Sequence, residues 1–124
     1  MKRTVIAAVV TLVALAVALP ATAATPSYKG TVGPGFTIVL AKKPTKAGKA
    51  TFVLADKSGI HNFHLTGPGG KQVAATVGGK KVSKTDTGVG PQGTKSFTVT
   101  LKAGKYAFVC DPHSSSMKGS FTVK

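Results

Sequence analysis

The sequence predicts an all-β sandwich preceded by an export signal. Three observations point there. After an apolar N-terminal run, no segment keeps a 3.6-residue apolar period. Short β-rich runs recur between Gly- and Pro-containing turns. The 124 residues, less the leading segment, leave about 100 residues, a usual size for one sandwich domain.

The leading segment has the three-part plan of a secretory signal. Met1-Lys2-Arg3 is a basic start, Val5 to Leu19 is almost unbroken apolar sequence, and Pro20-Ala-Thr-Ala23 offers small residues for cleavage. The run is shorter than the ~20 residues a bilayer span requires. Residues 1–23 are therefore read as a signal peptide and 24–124 as the domain, with Ala24 as the alternative cleavage residue. The expected address is periplasmic, extracellular or cell-envelope, with no transmembrane segment after cleavage.

The elements follow in order. Tyr28–Val32 reads as an edge strand, and Gly33-Pro-Gly35 as a turn. Phe36–Ala41 and Ala50–Ala55 are strands separated by a loop over Lys42–Lys49. Asp56-Lys-Ser-Gly59 turns into a strand over Ile60–Thr66, which Gly67-Pro-Gly-Gly70 ends. Lys71–Gly93 is a long connection with one or two short strands. Thr94–Leu101 alternates, with Phe97, Val99 and Leu101 on one side. Lys102-Ala-Gly104 is a tight connection to a partner strand over Lys105–Cys110. Ser120–Lys124 is the final strand. One domain of seven or eight strands is expected, as a monomer.

The formal net charge is +14. Loss of Lys2 and Arg3 with the signal removes the only arginine, so the domain's basic residues are all lysines. Nucleic-acid recognition leans on arginine's planar fork and on aromatics to stack bases; the sequence offers neither in quantity. The lysines read as a solvated coat, or as attraction to an acidic redox partner or an anionic envelope. Asp56, Asp86 and Asp111 are the only acids, so no carboxylate pair suggests acid–base catalysis. An enzyme is not expected.

Chemistry concentrates in Tyr106-Ala-Phe-Val-Cys110-Asp-Pro-His113-Ser-Ser-Ser-Met117-Lys-Gly119. The single cysteine of an exported chain cannot form an internal disulfide. Thiolate, imidazole and thioether at Cys-x2-His-x3-Met are donors that copper takes, and Pro112 and Gly119 bracket a loop that can turn them toward one point. A second imidazole must come from Gly59-Ile-His61-Asn-Phe-His64. On the two-residue strand period His61 shares a face with Phe63, and His64 shares the opposite face with Asn62. If Phe63 is core, His61 points inward and His64 away. Likewise Tyr106, Phe108 and Cys110 share an inward face. Two imidazoles, one thiolate and a weak axial thioether form a trigonal electron-transfer copper pattern. Zinc, with His64 in place of Met117, would need His64 turned inward.

These motifs resemble the cupredoxins, the small blue copper family that includes plastocyanin, amicyanin and pseudoazurin. His61-Asn62 is similar to the upstream ligand pair, Tyr106–His113 to the strand and loop carrying thiolate and second imidazole, and Met117-Lys-Gly119 to the axial ligand and its following glycine. The resemblance implies a Greek-key β-sandwich binding one copper ion through His61, Cys110, His113 and, axially, Met117. It implies that Asn62 hydrogen-bonds to the backbone by the cysteine loop, that His64 is not a ligand, and that Phe97 fills an aromatic core position. It also implies one-electron transfer with a redox partner protein; a copper carrier without electron transfer is the alternative.

Overall fold

The computed structural model describes residues 14–124. The basic start and most of the apolar run of the expected signal lie outside the described residues. Residues 14–26 are exposed and form no strand or helix, and among the described residues no helix is long and apolar enough to cross a membrane.

Among the described residues, ten strands form two sheets. They are β1 (Ser27–Val32), β2 (Ile38–Leu40), β3 (Gly48–Asp56), β4 (His64–Thr66), β5 (Ala75–Val77), β6 (Lys80–Val82), β7 (Thr85–Asp86), β8 (Gly93–Leu101), β9 (Gly104–Val109) and β10 (Lys118–Val123). One sheet runs β2-β1-β3-β8-β5-β6, the other β10-β9-β4-β7. The alternation read in the sequence becomes the core. Phe52, Leu54, Phe97, Val99 and Leu101 face inward from one sheet; Leu65, Tyr106, Phe108, Phe121 and Val123 face inward from the other. Phe63 stacks on Phe108 with centroids 5.3 Å apart, and Tyr106 on Phe121 at 5.2 Å. Such pairs add about 0.5–1.5 kcal/mol beyond the area they bury.

Several elements differ from expectation. β1 is not an edge strand: it pairs antiparallel with β2 and parallel with β3. The edge is β2, which keeps only three residues and leaves Phe36 outside the strand. The expected strand over Ile60–Thr66 is regular only from His64. The 71–93 connection holds three short strands, raising the count above eight.

The largest correction concerns β8 and β9. They are not hairpin partners: β8 pairs with β3 and β5, whereas β9 pairs with β10 and β4. The chain changes sheets at Lys102–Gly104. The Tyr106 hydroxyl fixes this corner, accepting from the Lys102 N–H at 2.9 Å and donating to the Lys102 carbonyl at 3.2 Å, as tyrosines do where a sandwich strand turns. Gly104 has φ +140°, and a side chain there would collide with the Pro68 ring, so only glycine fits.

The strand directions give the sandwich two ends. β1 and β3 finish at one end and β8 begins there, as Asp56 pairs with Gly93. The loops after β1, after β3 and after β9 gather at that end, and they carry the histidines and the cysteine.

Candidate metal centre

His61 comes from the segment between β3 and β4, which turns at Gly59-Ile60 and is not paired as a strand. Side chains hold it in place. The Thr87 hydroxyl accepts from the Phe63 N–H at 2.8 Å and donates to Asp56 Oδ2 at 3.1 Å, while the Thr87 N–H donates to the Phe63 carbonyl at 3.0 Å. Asp56 Oδ1 accepts from the Ser58 N–H at 3.1 Å. Asp56 and Thr87 are both buried, so these bonds replace water that burial removes. His61 is 1% exposed and faces inward with Phe63, as the two-residue period predicted.

Cys110, His113 and Met117 come from the loop between β9 and β10. Asp111–His113 form a 3-10 turn with Pro112 in its first turn, where the missing N–H costs no bond. The His113 N–H donates to the Cys110 carbonyl at 3.1 Å, and the Met117 N–H returns to the His113 carbonyl at 2.8 Å. The Cys110 N–H donates to the Met117 carbonyl at 2.9 Å and closes the base of the loop. Gly119 is needed just beyond, because the Phe108 ring occupies the space a Cβ would take. Cys110 is fully buried, Met117 is 1% exposed, and His113 is half-buried.

The donor atoms of three predicted residues converge. His61 Nδ1 and His113 Nδ1 are 3.0 Å apart, and each lies 3.6 Å from Cys110 Sγ. A point about 2 Å from all three atoms lies within that triangle, close to the bond lengths of a first-row ion to imidazole and thiolate. Two nitrogens and a sulfur directed at one buried point are a donor set that fits copper. Met117 lies at the base of the same loop.

Asn62 is buried, 1% exposed, although the strand period assigned it to the outer face. Its Oδ1 accepts from the Asp111 N–H at 2.7 Å, and its Nδ2 donates to Asp111 Oδ2 at 2.7 Å and Asp86 Oδ1 at 2.9 Å. The first of these bonds is the side-chain-to-backbone link expected from the family resemblance. His64 points away from the cysteine, with Nδ1 at 3.0 Å from Asp111 Oδ1 and Nε2 at 2.8 Å from Gln72 Oε1. It is thus not turned toward the sulfur, as the zinc alternative required. Burial disfavours charge on His64, but hydrogen bonds to Gln72 and Asp111 and the charges of Asp111 and Asp86 outweigh it, raising the pKa above its ordinary 6.5. Burial likewise works against ionised Asp86. The Gly88 N–H, the Asn62 amide and Lys84 prevail and hold its pKa below 3.8.

Phe36 is a contributor that sequence reading missed. It is 65% exposed, yet its ring meets both imidazoles edge to face, with centroids 5.3 Å from His61 and 4.9 Å from His113. It covers the pair from the loop after β1. A turn rich in Gly and Pro just before an aromatic residue was the available signal, but nothing local says which loop the ring will cover.

Comparison with known proteins agrees with this geometry. Residues 36–124 match the family described as copper binding proteins, plastocyanin/azurin family. No curated protein sequence matches the chain. Among solved structures, reduced rusticyanin aligns with TM-score 0.58 and 25% identity over 83% of this chain and 81% of its own; a rusticyanin structure is described as from Thiobacillus ferrooxidans. Auracyanin A, described as a blue copper protein from Chloroflexus aurantiacus, aligns with TM-score 0.57 and 16% identity over 82% of this chain and all of its own. A multi-copper oxidase from Pediococcus acidilactici aligns with TM-score 0.56 and 18% identity, over 86% of this chain but 28% of its own.

The chain is a small copper-binding β-sandwich. It belongs to the plastocyanin/azurin family, the cupredoxins, and copper is its cofactor.

Proposed function

We propose that the protein is exported and carries single electrons between redox partners, and that His61, Cys110, His113 and Met117 are the residues that would hold its copper. Copper supplies the one-electron couple between Cu(I) and Cu(II). The observation that carries the reading is the convergence of three donor atoms, two of them on fully buried residues, held by bonds that do not involve the metal. Thr87 and Asp56 fix the His61 segment, the Cys110–Met117 backbone bonds fix the loop, and Asn62 ties the two together. Residues positioned in this way would need to move little between the two oxidation states of a bound copper ion. His113 is the more exposed imidazole and the natural route to a partner; Phe36 keeps solvent from both rings. The alignment with a rusticyanin in its reduced form, and with a blue copper protein, supports the same reading.

The test is the absorption spectrum of the copper-loaded, oxidised protein, followed by reduction with a co-purified redox partner. Intense visible colour that Cys110→Ser abolishes, together with fast reversible bleaching, is expected. Colour that survives the substitution overturns the assignment of the sulfur. Colour with slow reduction, but ready transfer of copper to an acceptor apoprotein, makes the protein a carrier instead.

A further inference from the structure

The two ends of the sandwich differ in charge. All three acids lie at the copper end: Asp56 closes β3, Asp86 sits opposite His64, and Asp111 follows Cys110. The other end has none. It is built from the loop between β2 and β3, the corner after β8 and the end of β10, and it exposes Lys42, Lys43, Lys46, Lys49, Lys102 and Lys124. The Lys124 N–H donates to the Thr45 carbonyl at 3.0 Å and the Ala47 N–H to the Lys124 carbonyl at 3.4 Å, joining these segments into one surface. β1 begins at this end, because Ser27 pairs with Thr51. The start of the domain therefore lies among the lysines, and Thr25 and Pro26 line a cleft with Lys42, Lys43, Lys46 and Lys49.

We propose that this lysine-bearing end docks the exported protein on the anionic phospholipid headgroups of a membrane, with the copper end directed away. The inference rests on the export reading and is independent of electron transfer. Side-chain chemistry favours a lipid surface over a protein one. Protein interfaces are enriched in arginine and aromatic residues and depleted in lysine, whereas a headgroup layer needs only clustered positive charge. The 41–49 loop exposes no large apolar side chain: among the described residues of the sandwich, the exposed ones are Phe36, Ile60 and Val89 at the copper end and Val39 on β2.

Sedimentation of the exported protein with vesicles tests the proposal, using phosphatidylcholine alone and equal parts phosphatidylcholine and phosphatidylglycerol. Binding only to the anionic vesicles, weakened by salt, is expected. Lys42→Gln, Lys43→Gln, Lys46→Gln and Lys49→Gln together should weaken it about a hundred-fold or more. A control set of equal charge change, Lys57→Gln, Lys80→Gln, Lys84→Gln and Lys118→Gln, should weaken it far less. Equal losses in the two sets would mean that only net charge is read, and the proposal fails. Hydrogen exchange gives a second readout that needs no copper: vesicles should protect amides of Ala41–Lys49 and leave Asp111–Ser116 unchanged. Protection at Asp111–Ser116, or binding to an acidic protein with none to anionic vesicles, overturns it.

Discussion

Two histidine-centred groups lie side by side in this molecule, and only one has its donors left free for a metal. His61, Cys110 and His113 bring their donor atoms together, and so do His64, Asp86 and Asp111. In the second group the donors are already committed. Asn62 Nδ2 donates to both carboxylates, Lys84 pairs with Asp86 at 3.0 Å, and both His64 nitrogens have partners. In the first group the inward-facing nitrogens meet only each other and the sulfur. Metal-ligand residue types in proximity are therefore not enough. A copper site needs donors that the protein positions but leaves uncommitted, and the second group does the positioning through Asn62.

The largest expected effect contrasts the two histidines. His61→Gln should reduce copper affinity by more than the roughly 10–100-fold that loss of an outer hydrogen-bond partner costs. His64→Gln should change it less than about ten-fold. Copper titration followed by the visible band measures both, and equal losses would erase the distinction between the groups.

Next in size is Asn62→Ala. It removes three bonds, leaving the Asp111 N–H without its acceptor and two carboxylates each one donor short, so the copper-free protein should lose about 2–4 kcal/mol in urea unfolding. A loss below about 0.5 kcal/mol would show that the groups are not coupled through this side chain.

The second group should also give the copper-free protein a particular pH dependence. The raised pKa of His64 means that its contribution is complete below 6.5 and is lost as pH rises through the folded-state value. The lowered pKa of Asp86 means that its contribution is present above 3.8 and is lost as pH falls through the folded-state value. Together they stabilise most between those limits. His64→Gln should flatten the upper side of the profile and Asp86→Asn the lower side, measured as unfolding midpoint against pH.

The smallest effect is expected from the cover over the first group. Phe36→Ala should alter copper-free stability by no more than about 0.5 kcal/mol, because the ring is largely exposed. It should nevertheless speed exchange of water near the imidazoles, measured by relaxation of solvent protons in the Cu(II) form.

The local parts of this site were legible in the sequence. Alternation placed Phe63 and His61 inward and set Tyr106, Phe108 and Cys110 on one face, because strand geometry acts residue by residue. What required long-range contact was not legible. Asn62 belonged to the outer face by period, but its two partner residues lie 24 and 49 positions away and draw it into the interior. Phe36 looked like the start of a strand until its loop folded over the imidazoles. The β8–β9 connection looked like a hairpin because its length suits one. The contrary sign was Tyr106, four residues past Lys102, whose hydroxyl makes the corner.

The interior position of β1 also constrains how the domain assembles. Its outer neighbour β2 follows within a few residues, but its parallel neighbour β3 arrives only after the chain has passed beneath β1 through the 41–47 loop. A two-stranded ribbon by itself is marginal in water, and parallel pairing across a long separation is slow to nucleate. As the chain emerges N-terminus first, its opening hairpin gains lasting support only once residues 48–56 have arrived, so the early nascent product has an open seam where β3 belongs.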